Sequence, residues 1–192
     1  RISRGRARPS TGSRPPESTP GAVTDVVLTH LHMDHIGGLL TDGLKARLRP
    51  DLRVHVASRE AEFWEKPDFT HTVMPQPIPD VLRRTATQFL SDYRGQLRPF
   101  ETEYEVAPGV LISRTGGHTP GGHSIVRLES RGERLTFAGD AVFAPGFDNP
   151  EWQNGFEHDP TEAARVRVNL LRESLRPAKH SWPPTCRSRR SA

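Results

Sequence analysis

The sequence predicts a mixed α/β (α+β) domain, and three observations lead there. Short β-branched runs alternate with helical stretches, no internal repeat is present, and the histidine-rich loop LTHLHMDHIGG, Leu28 to Gly38, begins where an apolar run ends. The 192 residues suit one domain with a core of ordinary size.

The elements follow in order. Residues 1–22 are Arg, Pro, Ser, Thr and Gly with almost nothing to bury, so they read as a disordered or linker-like basic tail. Ala22–Thr29, AVTDVVLT, is β-branched and apolar, as a buried strand should be. Arg53–Ala57, RVHVA, alternates as a second strand, and Ser58 suits the N-cap of a helix through Glu65 that Pro67 stops. A further helix is expected from Pro79 to about Tyr93, with Val81, Leu82, Phe89 and Leu90 on one side. GVLISRT, HSIVRLES and RLTFAGD are three strands separated by glycine-bearing turns, with Ser130–Arg134 as a hairpin loop. Asp159 as N-cap, Pro160 at the first helical position and Glu162 at the third then open a capped helix.

The charge is unevenly placed. Against +4 for the whole chain, residues 1–22 carry +4 and residues 176–192 carry +5, which leaves Val23 to Leu175 at −5. A nucleic-acid interface should lie on the folded body, so no nucleic-acid partner is expected. No apolar run approaches the ~20 residues needed to cross a bilayer, and the start offers no signal-peptide stretch, so no membrane partner and a cytoplasmic location are expected. Cys186 is the single cysteine, which excludes an internal disulfide and a CxxC knuckle. Metal must therefore be held by histidine and carboxylate.

Three of the nine histidines fall within six residues. His30 and His32, two apart on an extended backbone, point the same way, and two converging imidazoles are what a borderline-soft divalent metal requires. Asp34 and His35 follow at a spacing that reaches past the first metal, where the turn into Gly37-Gly38 can aim them at a second.

HxHxDH after an apolar strand resembles the metallo-β-lactamase superfamily, and the later pieces are similar in kind and order. GGHTPGGHS supplies His118 in the family's GHTPG loop, and FAGDAVF supplies Asp140 at a strand end. SREAEFW and FDNPEWQNGFEHDPTEAARVRVNLL look like the branch holding methyl-parathion-hydrolase-like enzymes and related lactonases. The resemblance implies an αββα sandwich over residues 23–175. It implies that His30, His32 and His118 bind one metal, that Asp34 and His35 bind a second, and that Asp140 bridges two divalent ions, zinc above all. Asp34 would also orient the attacking hydroxide. The implied activity is hydrolysis of a small-molecule ester, lactone or phosphotriester; the alternative is an inactive or weakly active remnant. Oligomeric state is left open.

Other residues carry weaker expectations. Phe63, Trp64, Phe143, Phe147, Trp152 and Phe156 are candidates for an apolar mouth over the metals, with the equal alternative that half of them are simply core. His123 is expected as an exposed loop histidine rather than a group behind the ligands, His55 and His71 as structural or solvated, and His158 as a minor candidate for contact with metal or substrate.

The family pattern also carries a late-strand histidine in a context like AAHLPFPG, whereas this chain ends AKHSWPPTCRSRRSA. His180 lacks the flanking residues and is carried over only weakly, which leaves the second metal site weakened. A GC-rich codon choice for HSWPPTCRSRRSA, read after dropping two bases, translates as LVAAHLPFPSVG. Residues 176–192 are thus expected to be a frame-shifted, non-native basic tail. The few residues before His30 likewise suggest that part of the first sheet is missing.

Overall fold

The computed structural model describes residues 19–70 and 72–175. The expectations for residues 1–18, His71 and residues 176–192, with His180 and Cys186, lie outside the described residues.

The first half is an α/β layer. It runs β1 (Asp25–Val27), α1 (Met33–Ile36), α2 (Leu44–Arg47), β2 (Arg53–Ala57), α3 (Ser58–Glu65), α4 (Ile78–Tyr93) and β3 (Leu97–Phe100). The three strands form a parallel sheet in the order β1-β2-β3. Strands in such a sheet are buried on both faces, and β2 shows it. Val54 and Val56 enter the core shared with Leu82, Ala86, Phe89, Leu90 and Tyr93 of α4. His55 and Ala57 face the other way, His55 stacking on Tyr104 at 5.6 Å. The buried positions of α4 recur every three or four residues, which fixes which face meets the sheet. Each buried large apolar side chain there contributes roughly 1.5–3 kcal/mol relative to exposure.

Two boundaries depart from the sequence reading. Ser58 is the first residue of α3 and Ala57 its N-cap, because the Ser58 hydroxyl donates to Phe100 O at the end of β3 and to Glu101 Oε1. β1 is shorter than the apolar run, since the chain leaves the ladder after Val27 to enter the histidine loop. β3, LRPF, is an edge strand, where Pro99 is tolerated because no further strand needs its missing N–H.

The second half is an antiparallel meander, β4 (Glu103–Ala107), β5 (Val110–Arg114), β6 (Ser124–Ser130) and β7 (Glu133–Phe137), followed by α5 (Ala144–Asp148) and α6 (Pro160–Ser174). The β6–β7 turn is Arg131-Gly132, with φ of 53° and 80°, the left-handed pair that a two-residue hairpin requires. Asp159 caps α6 by accepting from Glu162 N at 3.0 Å.

The two sheets meet through Val27, Ala57, Phe100, Val106 and Ile112. Helices lie outside each sheet, giving an αββα order. On the α6 side the packing is looser, with a 550 Å³ open cavity between Leu170 and Leu171 of α6 and Ile125, Val142 and Phe147. Among the described residues, no helix is long and apolar enough to cross a membrane. What matters for function is that the loops after β1, between β5 and β6, and after β7 all converge at one place.

Candidate metal centre

His30 and His32 leave β1 on an extended stretch, and His32 is the N-cap residue of α1 (φ −66°, ψ 153°). Asp34 and His35 therefore fall in the first turn of α1, rotated away from the first pair. His118 enters from the β5–β6 loop and Asp140 from the short 3-10 turn after β7. Two donor sets result, with the atoms of each within 4.8 Å of one another: His30, His32, His118 and Asp140, and Asp34, His35 and Asp140.

Asp140 faces both sets. Its Oδ2 lies 3.5 Å from His118 Nε2 and 3.9 Å from His30 Nε2, while its Oδ1 lies 3.2 Å from His35 Nε2. His32 Nδ1 is 3.1 Å from His118 Nε2. His30 Nε2 is buried and has no hydrogen-bond partner although it is aimed at this cluster. An orphaned imidazole nitrogen facing two others and a carboxylate fits a divalent cation, which would use the lone pair that nothing else takes.

The electrostatics suit that role. Burial and the neighbouring histidines push His30 and His32 well below the usual imidazole range, and burial takes His118 down to about 4. All three are thus neutral near pH 7, the state in which imidazole ligates. Burial works against the cation of His35, but Asp140 and Asp34 outweigh it and raise its pKa. Burial likewise opposes ionisation of Asp140, yet His35 and the other histidines hold it below the ordinary carboxylate value.

Several groups behind the cluster were not legible as such in the sequence. His123, expected to be exposed, is fully buried. Its Nε2 accepts from Asp140 N at 3.1 Å and its Nδ1 donates to Thr115 Oγ1 at 3.2 Å, which fixes the main chain of Asp140. Burial takes its pKa to about 3. Gly139, with φ 52°, leaves room for this contact, since a Cβ there would lie 2.7 Å from His123 Nε2.

Glu60 of α3 is fully buried and joins the two histidine loops. It accepts from Leu31 N (3.0 Å), Trp64 Nε1 (2.7 Å) and Thr119 Oγ1 (2.6 Å). Burial pushes its carboxyl up in spite of these donors. Arg167 of α6 is also fully buried: its Nε donates to Ala141 O at 3.1 Å, its guanidinium pairs with Glu157, and it lies 4.3 Å over the Phe143 ring. An acid in a helix first turn and an arginine in an amphipathic helix ordinarily face solvent, so no local signal announced either.

His158 is buried, donates from its main chain to His118 O at 3.2 Å, and places Nε2 3.2 Å from His32 Nε2. His55 is buried and structural, paired with Asp25 at 2.7 Å. The aromatic candidates do not gather into one mouth. Trp64 takes the core alternative: it is fully buried with its indole committed to Glu60. Phe63 is half-buried against His158, whereas Phe143 lies under Arg167 and Phe147 lines the cavity beside α6. Trp152 and Phe156 are exposed.

Residues 16–179 match a sequence family described as the Metallo-beta-lactamase superfamily. The fold recurs in solved structures. AidC, a dizinc quorum-quenching lactonase in complex with a product, shares 22% identity at a TM-score of 0.70, over 80% of this chain and 54% of that one. AbOPH, a hydrolase in the beta lactamase superfamily, shares 28% identity at a TM-score of 0.65, over 80% of this chain and 54% of that one. A probable metal-dependent hydrolase from Staphylococcus aureus shares 26% at a TM-score of 0.65, over 81% and 52%. The chain spans about half the length of these structures. No curated protein matches it in sequence.

Proposed function

Since the chain belongs to the metallo-beta-lactamase superfamily, we propose that it is a metal-dependent hydrolase of a small-molecule ester, lactone or phosphotriester, using two divalent cations, zinc above all. The observation that carries this reading is Asp140, whose two oxygens face two separate donor sets. His30, His32, His118 and Asp140 make a four-donor set of the borderline-soft kind that suits zinc. Asp34, His35 and Asp140 make the second, more exposed set, which should hold its ion less tightly.

Two cations seated there would supply the positive charge that lowers the pKa of water and polarises a carbonyl or phosphoryl oxygen. The chain's own groups do the rest. His123 and Arg167 fix the loop that carries Asp140. Asp34, largely exposed and 3.5 Å from His35 Nε2, would give one carboxylate oxygen to the second set and keep the other to orient a water. The likeness to a lactonase and to hydrolases supports a small-molecule substrate, and the net −5 of residues 23–175 disfavours nucleic acid.

The test measures bound metal by elemental analysis and rates on a lactone, an aryl ester and an aryl phosphotriester, before and after exhaustive chelation and after zinc is restored. Activity should vanish with the metal and return with it, and His118→Ala should hold less metal than the parent. Rates indifferent to chelation, unchanged metal content in His118→Ala, or a covalent acyl- or phosphoryl-enzyme would overturn the proposal.

A further inference from the structure

The three histidines of the first donor set do not present the same nitrogen. His30 and His118 face Asp140 with Nε2, whereas His32 faces His118 with Nδ1. A neutral imidazole offering its lone pair at Nδ1 must carry its proton at Nε2. The His32 ring is buried, so that N–H needs an acceptor inside the protein. The atom in place is His158 Nε2, 3.2 Å away, with the two ring planes 20° from parallel.

The surroundings hold His158 for this contact. Its ring meets Phe63 edge-on at 5.4 Å and Trp64 at 5.8 Å, and lies 5.1 Å from Phe69. Its main chain donates to His118 O, so one residue is fastened to two members of the donor set. The neighbouring Glu157 is anchored by Arg167, which also grips Ala141 beside Asp140. The far nitrogen of His158, Nδ1, is buried without a partner. An apolar ring would avoid the cost of that unmet buried donor. The imidazole is therefore explained by what its Nε2 does for His32.

We propose that His158 is a positioning residue: by accepting the Nε2 proton of His32 it selects the His32 tautomer whose Nδ1 is free for a cation, without itself touching cation or substrate. The inference rests on the metal reading above, but its first test does not. In the metal-free, ¹⁵N-labelled chain, His32 should show the Nε2–H tautomer, and a scalar coupling across the hydrogen bond should join His32 Nε2 to His158 Nε2. His158→Phe, which keeps the aromatic packing and removes the acceptor, should release His32 into mixed tautomers and weaken the tighter zinc site 10- to 100-fold. His158→Gln, whose amide oxygen can accept at the same place, should recover most of that affinity. An Nδ1–H tautomer or no coupling in the parent overturns the proposal, and that measurement needs no variant to fold. An unchanged His32 tautomer in His158→Phe, or equal zinc affinities for His158→Phe and His158→Gln, also overturns it. A parent that binds no zinc yet shows the coupling would instead refute the metal reading and leave the tautomer assignment standing.

Discussion

Replacing Glu60 asks how much the clasp between the two histidine loops holds. Glu60→Ala leaves Leu31 N, Trp64 Nε1 and Gly122 N as buried donors with no acceptor, while the Thr119 hydroxyl can turn. Three unmet donors cost about 3–9 kcal/mol together. Part of this is offset, because burial already raises the Glu60 pKa and alanine relieves the cost of that buried charge. The expected net loss is about 2–4 kcal/mol at neutral pH. Glu60→Gln keeps one oxygen for Leu31 and Trp64 but turns an amide NH₂ toward Gly122, which donates to the parent carboxylate, so about 1–2 kcal/mol is expected. Urea unfolding followed by circular dichroism gives the stabilities, provided the m-value is unchanged. Glu60→Ala within about 0.5 kcal/mol of the parent, or Gln worse than Ala, would refute the clasp.

Two further outcomes are expected. Burial lowers His118 and His158 to about 4 and His123 to about 3, so the unfolded chain binds more protons than the folded one as pH falls below 6.5. Stability from these groups is present above pH 6.5 and lost toward pH 3–4, at about 1.4 kcal/mol per histidine per pH unit. A pH titration of the metal-free chain by circular dichroism should show unfolding in that window, and stability at pH 4 equal to that at pH 7 would contradict it. Arg167→Leu should cost about 3–5 kcal/mol by leaving Glu157 buried and unpaired, and Arg167→Leu with Glu157→Leu should regain much of it; a single variant as stable as the parent would show that the pair does not hold the Asp140 loop.

What could be read from the sequence was what is local. β2 and the capping of α6 follow from alternation and end signals within a few residues. His30 and His32 converge because an extended chain repeats every two residues, and the structure brings His118 and Asp140 to the same cluster. β3 was missed because Pro99 argues against a strand unless the strand is known to be an edge. Glu60, His123, His158 and Arg167 share a different reason: each is a buried polar group with at least one partner ten or more residues distant in the chain, and no spacing rule encodes that. The six aromatics were open to two readings, mouth or core, and composition could not divide them; Trp64 is core because it turns inward to a buried acid.

The convergence of loops from both sheets has a consequence for how the molecule is made. β4 to β7 pair with their neighbours in the chain and can form early, as local hairpins do. His32 and His118, by contrast, are 86 residues apart and touch only after the parallel sheet has closed on the meander. Contacts of that separation come late, because the loop must be closed before they return anything. Whatever occupies the cluster therefore recognises the finished fold and not the path to it. It lengthens the life of the native state by slowing unfolding, and leaves the speed of folding to the strands.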